Sequence, residues 1–148
     1  MAQGFQMRLE GAWAKANAAL GRVARIRLTD LHEAIGELLV SSTRRRFRDG
    51  KDPEGRAWPR LKKRTGRKGK AAKPLLLTGR LRNSITSKAN ESAVVVGTNV
   101  VYAARHNFGY EKSGVVWTPK RQFLGFSSDD EGAIVETVED FVTEAVEL

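Results

Sequence analysis

Near the C-terminus the apolar residues Ile134, Val138, Phe141, Val142 and Ala145 recur at i, i+4, i+7, i+8 and i+11. That is one stripe of an amphipathic helix, with an acidic opposite face that must look outward. Ser128 with Glu131 reads as a capping box, and Asp129 and Asp130 fill the first turn, where carboxylates favour the positive end of the helix dipole. A second stripe runs through Leu31, Ile35, Leu38 and Leu39. Asp30 with Glu33 signals its start, arginines crowd its last turns, and Asp49-Gly50 stops it, glycine being suited to the left-handed position past a helix end. His32 falls in the first turn of this helix, a place for a solvent-facing or capping side chain. Residues 5–27 set Phe5, Leu9, Trp13, Leu20 and Val23 at mostly helical spacings, interrupted by Gly11 and Gly21.

Between the two strong helices the period changes. Ser84 to Lys88 and Ser92 to Thr98 are short, branched and partly alternating, as half-buried strands are, with Ala89-Asn90-Glu91 as the turn between them. Thr78 can cap a helical turn that enters this hairpin and puts Leu81 on its inner face, one register from Ile85. Gly97 and Asn99 end the second strand, Gly109 closes the segment, and Val115, Val116 and Trp117 form a short strand ended by Pro119 in an otherwise irregular stretch. The expected fold is α+β: a small antiparallel sheet packed with two or three helices, and a long basic loop projecting. One domain is expected, made of a helical segment (1–28), a helix (29–49), the basic loop (50–74), the sheet region (75–126) and the acidic helix (127–148).

Composition changes this picture mainly through charge. A chain of 148 residues with 41% hydrophobic content can bury a core. It has no cysteine, so a disulfide framework and a thiolate metal site are excluded. No apolar run approaches a membrane span and the N-terminus has no signal-peptide pattern, so a soluble protein made in the cytoplasm is expected. The net charge of +9 is unevenly placed. Arg44 to Arg82 holds 16 Lys or Arg against three acids, whereas Asp129 to Leu148 holds eight acids and no base. Such polarity either meets a polyanion or orients like molecules head to tail. Arg44, Arg45, Arg46 and Arg48, with Lys62, Lys63, Arg64, Arg67, Lys68, Lys70 and Lys73, are the candidate contacts to a partner or to DNA. Residues 62–73 have almost nothing to bury, so a mobile arm is expected there. In the preceding loop Trp58 and Leu61 are the bulky apolar residues, read as anchors to the core.

No catalytic constellation is apparent. Two histidines, no cysteine and no Gly-x-Ser-x-Gly or His-Glu-x-x-His pattern leave no nucleophile–base pair, so no catalytic, cofactor or metal residue is assigned. His106, between Arg105 and Asn107, is read as a turn or interface hydrogen-bonding group.

Taken in order, Phe47, Pro53-x-Gly55-x-x-Trp58-x-x-Leu61, Leu77-Thr78-Gly79-x-Leu81-x-x-Ser84-Ile85, Val96-Gly97-Thr98-Asn99, Tyr102-Ala103, His106-x-Phe108-Gly109 and Arg121-x-Phe123-Leu124-Gly125 resemble the phage virion morphogenesis family, the tail completion family of Mu-like tailed phages. The resemblance covers roughly residues 30 to 146. Asn107 departs from it, standing where the family more often has Gln. The resemblance implies a non-enzymatic, tail-completion or neck-like α+β protein of the virion, needing no cofactor. It implies action at the head–tail junction, completing the tail or making it competent to join the head. Related neck proteins form rings, commonly six-fold. The partners implied are further copies of the chain, neck or connector and tail-tube or tail-terminator proteins, and the DNA passing through the channel, with no membrane. On that view the basic Arg44–Arg82 region and the acidic final helix are natural candidates for the two unlike patches of a ring interface; alternatively the basic arm lines the channel and meets DNA, or reaches an adjoining ring of the neck or tail. A free, non-specific nucleic-acid-binding protein using the basic arm is the alternative.

Overall fold

The computed structural model describes residues 5–8, 27–61 and 73–147. The described residues form an α+β fold in the order β1 (Phe5–Arg8), α1 (Leu28–Asp49), α2 (Arg80–Asn83), β2 (Thr86–Ala89), β3 (Val94–Thr98), α3 (Ala103–Phe108), β4 (Tyr110–Lys112), β5 (Val115–Thr118) and α4 (Ser128–Glu147). Strands β1, β3 and β2 make an antiparallel sheet in that order, and β4–β5 is a separate hairpin. Helix α1 lies against β2 and β3 and also against α4.

Helix α1 buries Leu31, Ile35 and Leu39 on Val94 and Val96 of β3, with Ile85 and Leu81 beside them. Each such side chain stabilises the fold by about 1.5–3 kcal/mol through removal from water. The helix ends as its sequence predicts, with Gly50 at φ 65° donating its N–H to the Arg46 carbonyl. Its start differs. Arg27 holds the N-cap position without a side-chain cap bond, and Asp30 sits inside the first turn, 3.4 Å from Arg27. His32 is neither solvent-facing nor a cap: it is 2% exposed, and its Nδ1 lies 2.6 Å from the Asn90 carbonyl oxygen. It thus ties α1 to the β2–β3 turn. That turn is fixed by Asn90, whose side-chain oxygen accepts from the N–H groups of Ser92 and Ala93.

The hairpin strands are shorter than their composition suggests, because Ser84 caps α2 and Asn90 to Ser92 form the turn. Thr78 does accept from the Arg80 N–H at 3.3 Å, but Gly79, at φ 71°, occupies the N-cap position itself. Residues 5–8, placed by spacing at the start of a helical segment, instead form β1 and pair with β3 in the register Met7 to Val96. Residues 9–26 of that segment lie outside the described residues, as do Lys62, Lys63, Arg64, Arg67, Lys68 and Lys70. The stretch expected to be irregular supplies a partner strand, β4, for the expected β5 strand, joined through Ser113 and Gly114 at φ 53° and 74°. The turn suits the twist of a tight hairpin. Among the described residues no helix is long and apolar enough to cross a membrane.

One glycine sets how closely α1 approaches the sheet. A Cβ at Gly36 would come within 2.7 Å of Ser87 Oγ and 3.0 Å of Val94 Cγ2. Gly36→Ala is therefore expected to destabilise by about 1–3 kcal/mol through overpacking, despite alanine's better helix propensity. Urea denaturation checks it; a more stable variant would mean the helix can lift off the sheet at little cost.

Candidate functional site

Part of the motif, Phe47, Pro53, Trp58, Phe123, Leu124 and Gly125, converges on one packed hub, whereas Leu77, Tyr102 and Phe108 are exposed. The Phe47 ring meets Trp58 edge-on, with centroids 5.5 Å apart, and Phe123 at 5.1 Å. Trp58 is anchored as its loop composition suggests, its indole N–H donating to the Gln122 carbonyl at 2.9 Å. Asn107, on the short helix α3, is also buried, and its side-chain oxygen accepts from the N–H groups of Phe123 and Leu124 at 3.1 and 3.0 Å. Gly125 is packed so tightly that a Cβ would lie 2.6 Å from Pro53 Cγ, which ties the Pro-x-Gly loop to the entry of α4. Farther along, Ser84 and Thr98 share a hydrogen bond at 2.6 Å, and the Tyr102 and His106 rings meet edge-on.

Arg46 lies at the centre of this hub and is not a surface contact. It is 7% exposed, and one guanidinium nitrogen donates to the carbonyls of Phe123 and Gly125 at 2.9 and 2.8 Å. The other pairs with Asp130, itself 2% exposed. Asp130 closes the capping box as well. Its carboxylate accepts from the Ser127 N–H at 2.9 Å while Ser127 Oγ accepts from the Asp130 N–H at 3.0 Å. The box is therefore Ser127 with Asp130, one residue earlier than Ser128 with Glu131, and one member of the acidic segment points inward. Burial opposes ionisation of Asp130. Hydrogen bonds from Ser42 and Ser127 and the charge of Arg46 outweigh it and hold the carboxyl below its ordinary value. Burial pulls the Arg46 pKa down, and Asp130 partly restores it.

The other arginines of the run remain outside. Arg44, Arg45 and Arg48 share an open groove of about 570 Å³ with Ser41 on α1 and with Arg82 and Asn83 on α2. No carboxylate lines it among the described residues, although Arg48 Nε pairs with its neighbour Asp49 at 3.2 Å. Arg44 is braced by donating to the Ile85 carbonyl at 3.0 Å, and Lys73 reaches the Arg48 carbonyl at 3.2 Å. Arg82 was not singled out as a contact from sequence; its place three residues before Ile85, on a turn facing the end of α1, is the signal for it.

His106 lies on α3 between Arg105 and Asn107. Burial first, then the charges of Arg121 and Arg105, keep its imidazole below the ordinary range, so it is neutral at neutral pH. Its Nδ1 is buried without a hydrogen-bond partner among the described residues. Arg121, also buried, uses its guanidinium to hold the Pro59 and Arg60 carbonyls. No group of three or more potential metal ligands occurs among the described residues.

Two consequences of the buried pair can be measured. Asp130→Ala leaves Arg46 buried and unpaired and is expected to cost about 3–5 kcal/mol in urea denaturation. A carboxyl held below its ordinary pKa of 3.8 contributes stability above that pH and loses it as pH falls through the lower folded value. The acid-side loss of stability should accordingly be shallower in Asp130→Asn than in the parent chain.

A family model described as the phage virion morphogenesis family matches residues 12–143. The Mu-like prophage FluMu G protein 2 of Haemophilus influenzae is 36% identical over 113 residues, covering 75% of each chain. No solved structure matches.

Proposed function

Because this chain belongs to the phage virion morphogenesis family, we propose that it is a structural component of the head–tail junction. It completes the tail, or makes it competent to join a filled head, and it works as a ring of identical copies that remains with the virion. The copies assemble in the host cytoplasm and meet neck or connector proteins on one side and tail-tube or terminator proteins on the other.

One observation carries this reading. The family-motif residues Phe47, Pro53, Trp58, Phe123, Leu124 and Gly125 point into one packed hub rather than into a cleft. What this part of the motif specifies is therefore a shape. A protein whose characteristic residues serve rigidity works through its surface, and this surface carries a basic groove, an acidic helix face and an apolar hairpin that exposes Val115, Val116 and Trp117. The arginine groove also favours a second reading, a free nucleic-acid-binding protein, since guanidinium groups take phosphate without regard to sequence.

Removing the gene from a phage or prophage that carries it should leave filled heads and tails accumulating unjoined, with infectivity restored by the protein supplied in trans. Normal infectious particles made without it would overturn the reading. Tight duplex binding at physiological salt by the isolated protein, with normal particles in its absence, would favour the second.

A further inference from the structure

We infer that the arginine groove receives the outward acidic face of α4 from a second copy of the chain, forming the repeating joint of the ring proposed above, a reading on which this one rests. The groove brings Arg44, Arg45, Arg48 and Arg82 together with no lining carboxylate among the described residues; only Arg48 has a nearby acid, its exposed neighbour Asp49 at 3.2 Å. Like charges held side by side are unfavourable until an anion meets them. The anion is present elsewhere in the same molecule. On α4, Glu136 and Glu139 occupy the face turned away from the core, flanked by Asp129 and Asp140, and all four are exposed. None of them pairs with a cation among the described residues, whereas the inward Asp130 does.

The two patches cannot satisfy each other within one chain. Ile134 and its stripe hold α4 on α1, so the acidic face looks away from its own arginines. Two unlike patches that match each other but not themselves make a heterologous contact, the kind that closes into a ring. Their spacing agrees too. Arg44 and Arg48 are one helical turn apart, as are Glu136 and Asp140, so each pair rises about 6 Å along its axis. Duplex DNA would satisfy the groove but leave the acidic face unmatched and repelled by the same phosphates.

Gly132 supplies an independent observation. It lies on the same outward face, inside α4, where glycine is a poor helix former. A Cβ there would meet nothing within 4 Å, in contrast to Gly36, whose absent side chain is required by the sheet. Nothing among the described residues calls for a glycine at 132, whereas a helix or loop of a neighbour approaching this face closely would. Val135, 54% exposed, gives that contact an apolar edge.

The test uses the full chain, with sedimentation velocity and native mass measured over a range of concentration and salt. The parent chain should self-associate, and less so as salt rises. Arg45→Glu/Arg48→Glu and Glu136→Arg/Asp140→Arg should each fold normally yet associate about a hundredfold more weakly, since like charges then face each other at every joint. An equimolar mixture of the two should assemble again with an even number of copies, because alternating them restores opposite charges at both ends of each. Gly132→Ala should raise the unfolding midpoint by a few degrees while weakening association, a pair of opposite signs that no purely intramolecular role produces. Assembly of both reversal variants as well as the parent, or a mixture that stays dissociated, would overturn this joint and leave the ring standing. A parent chain that remains monomeric at every concentration would overturn both.

Discussion

A single buried cation organises this molecule. Arg46 leaves the end of α1 and is held by the carbonyls of Phe123 and Gly125 and by the Asp130 carboxylate, so one side chain joins the longest helix, the loop before α4 and the first turn of α4. Desolvating a guanidinium is costly, and the cost is offset only when every donor has an acceptor and the charge has a partner. That requirement explains the surroundings. Gly125 must lack a side chain to sit on Pro53, and Asn107 must present an oxygen to the next two N–H groups, so that the carbonyls on the other side stay aimed at Arg46.

Much of the fold was legible in the sequence, because its two long helices and central hairpin obey simple periodicities. The apolar stripes of α1 and α4, the Gly50 stop and the Trp58 anchor need only local spacing to be found. The buried pair was not read, although a signal existed. Arg46 lies in phase with Leu31, Ile35 and Leu39, and Asp130 in phase with Ile134, Val138 and Phe141, so each charge sits on the apolar face of its own helix. Counting arginines as one cluster hid that phase. The same phase chooses between the two possible capping boxes, since only the frame with Asp130 as the third residue turns a carboxylate toward Arg46.

Other differences have non-local causes. The segment at 5–8 is a strand because β3 offers it an edge, and no pattern within four residues announces an antiparallel partner some ninety positions away. His32 is buried because the β2–β3 turn puts a carbonyl within reach, which helix spacing cannot foretell. Of the candidate contacts among the described residues, Arg44, Arg45 and Arg48 share one groove with Arg82, Lys73 is exposed, and Arg46 is buried. The run of arginines is thus two devices, one for the interior and one for the exterior.

The Arg46–Asp130 pair spans 84 positions of sequence, and this has a consequence for how the molecule opens. Asp130 caps its own helix and also anchors a distant one, so the first turn of α4 cannot fray without exposing a buried guanidinium. Local breathing at that end is therefore coupled to separation of α1 from α4. The slowest amide hydrogens to exchange with solvent should include those of the 123–130 stretch, a loop and helix entry that would otherwise be among the fastest.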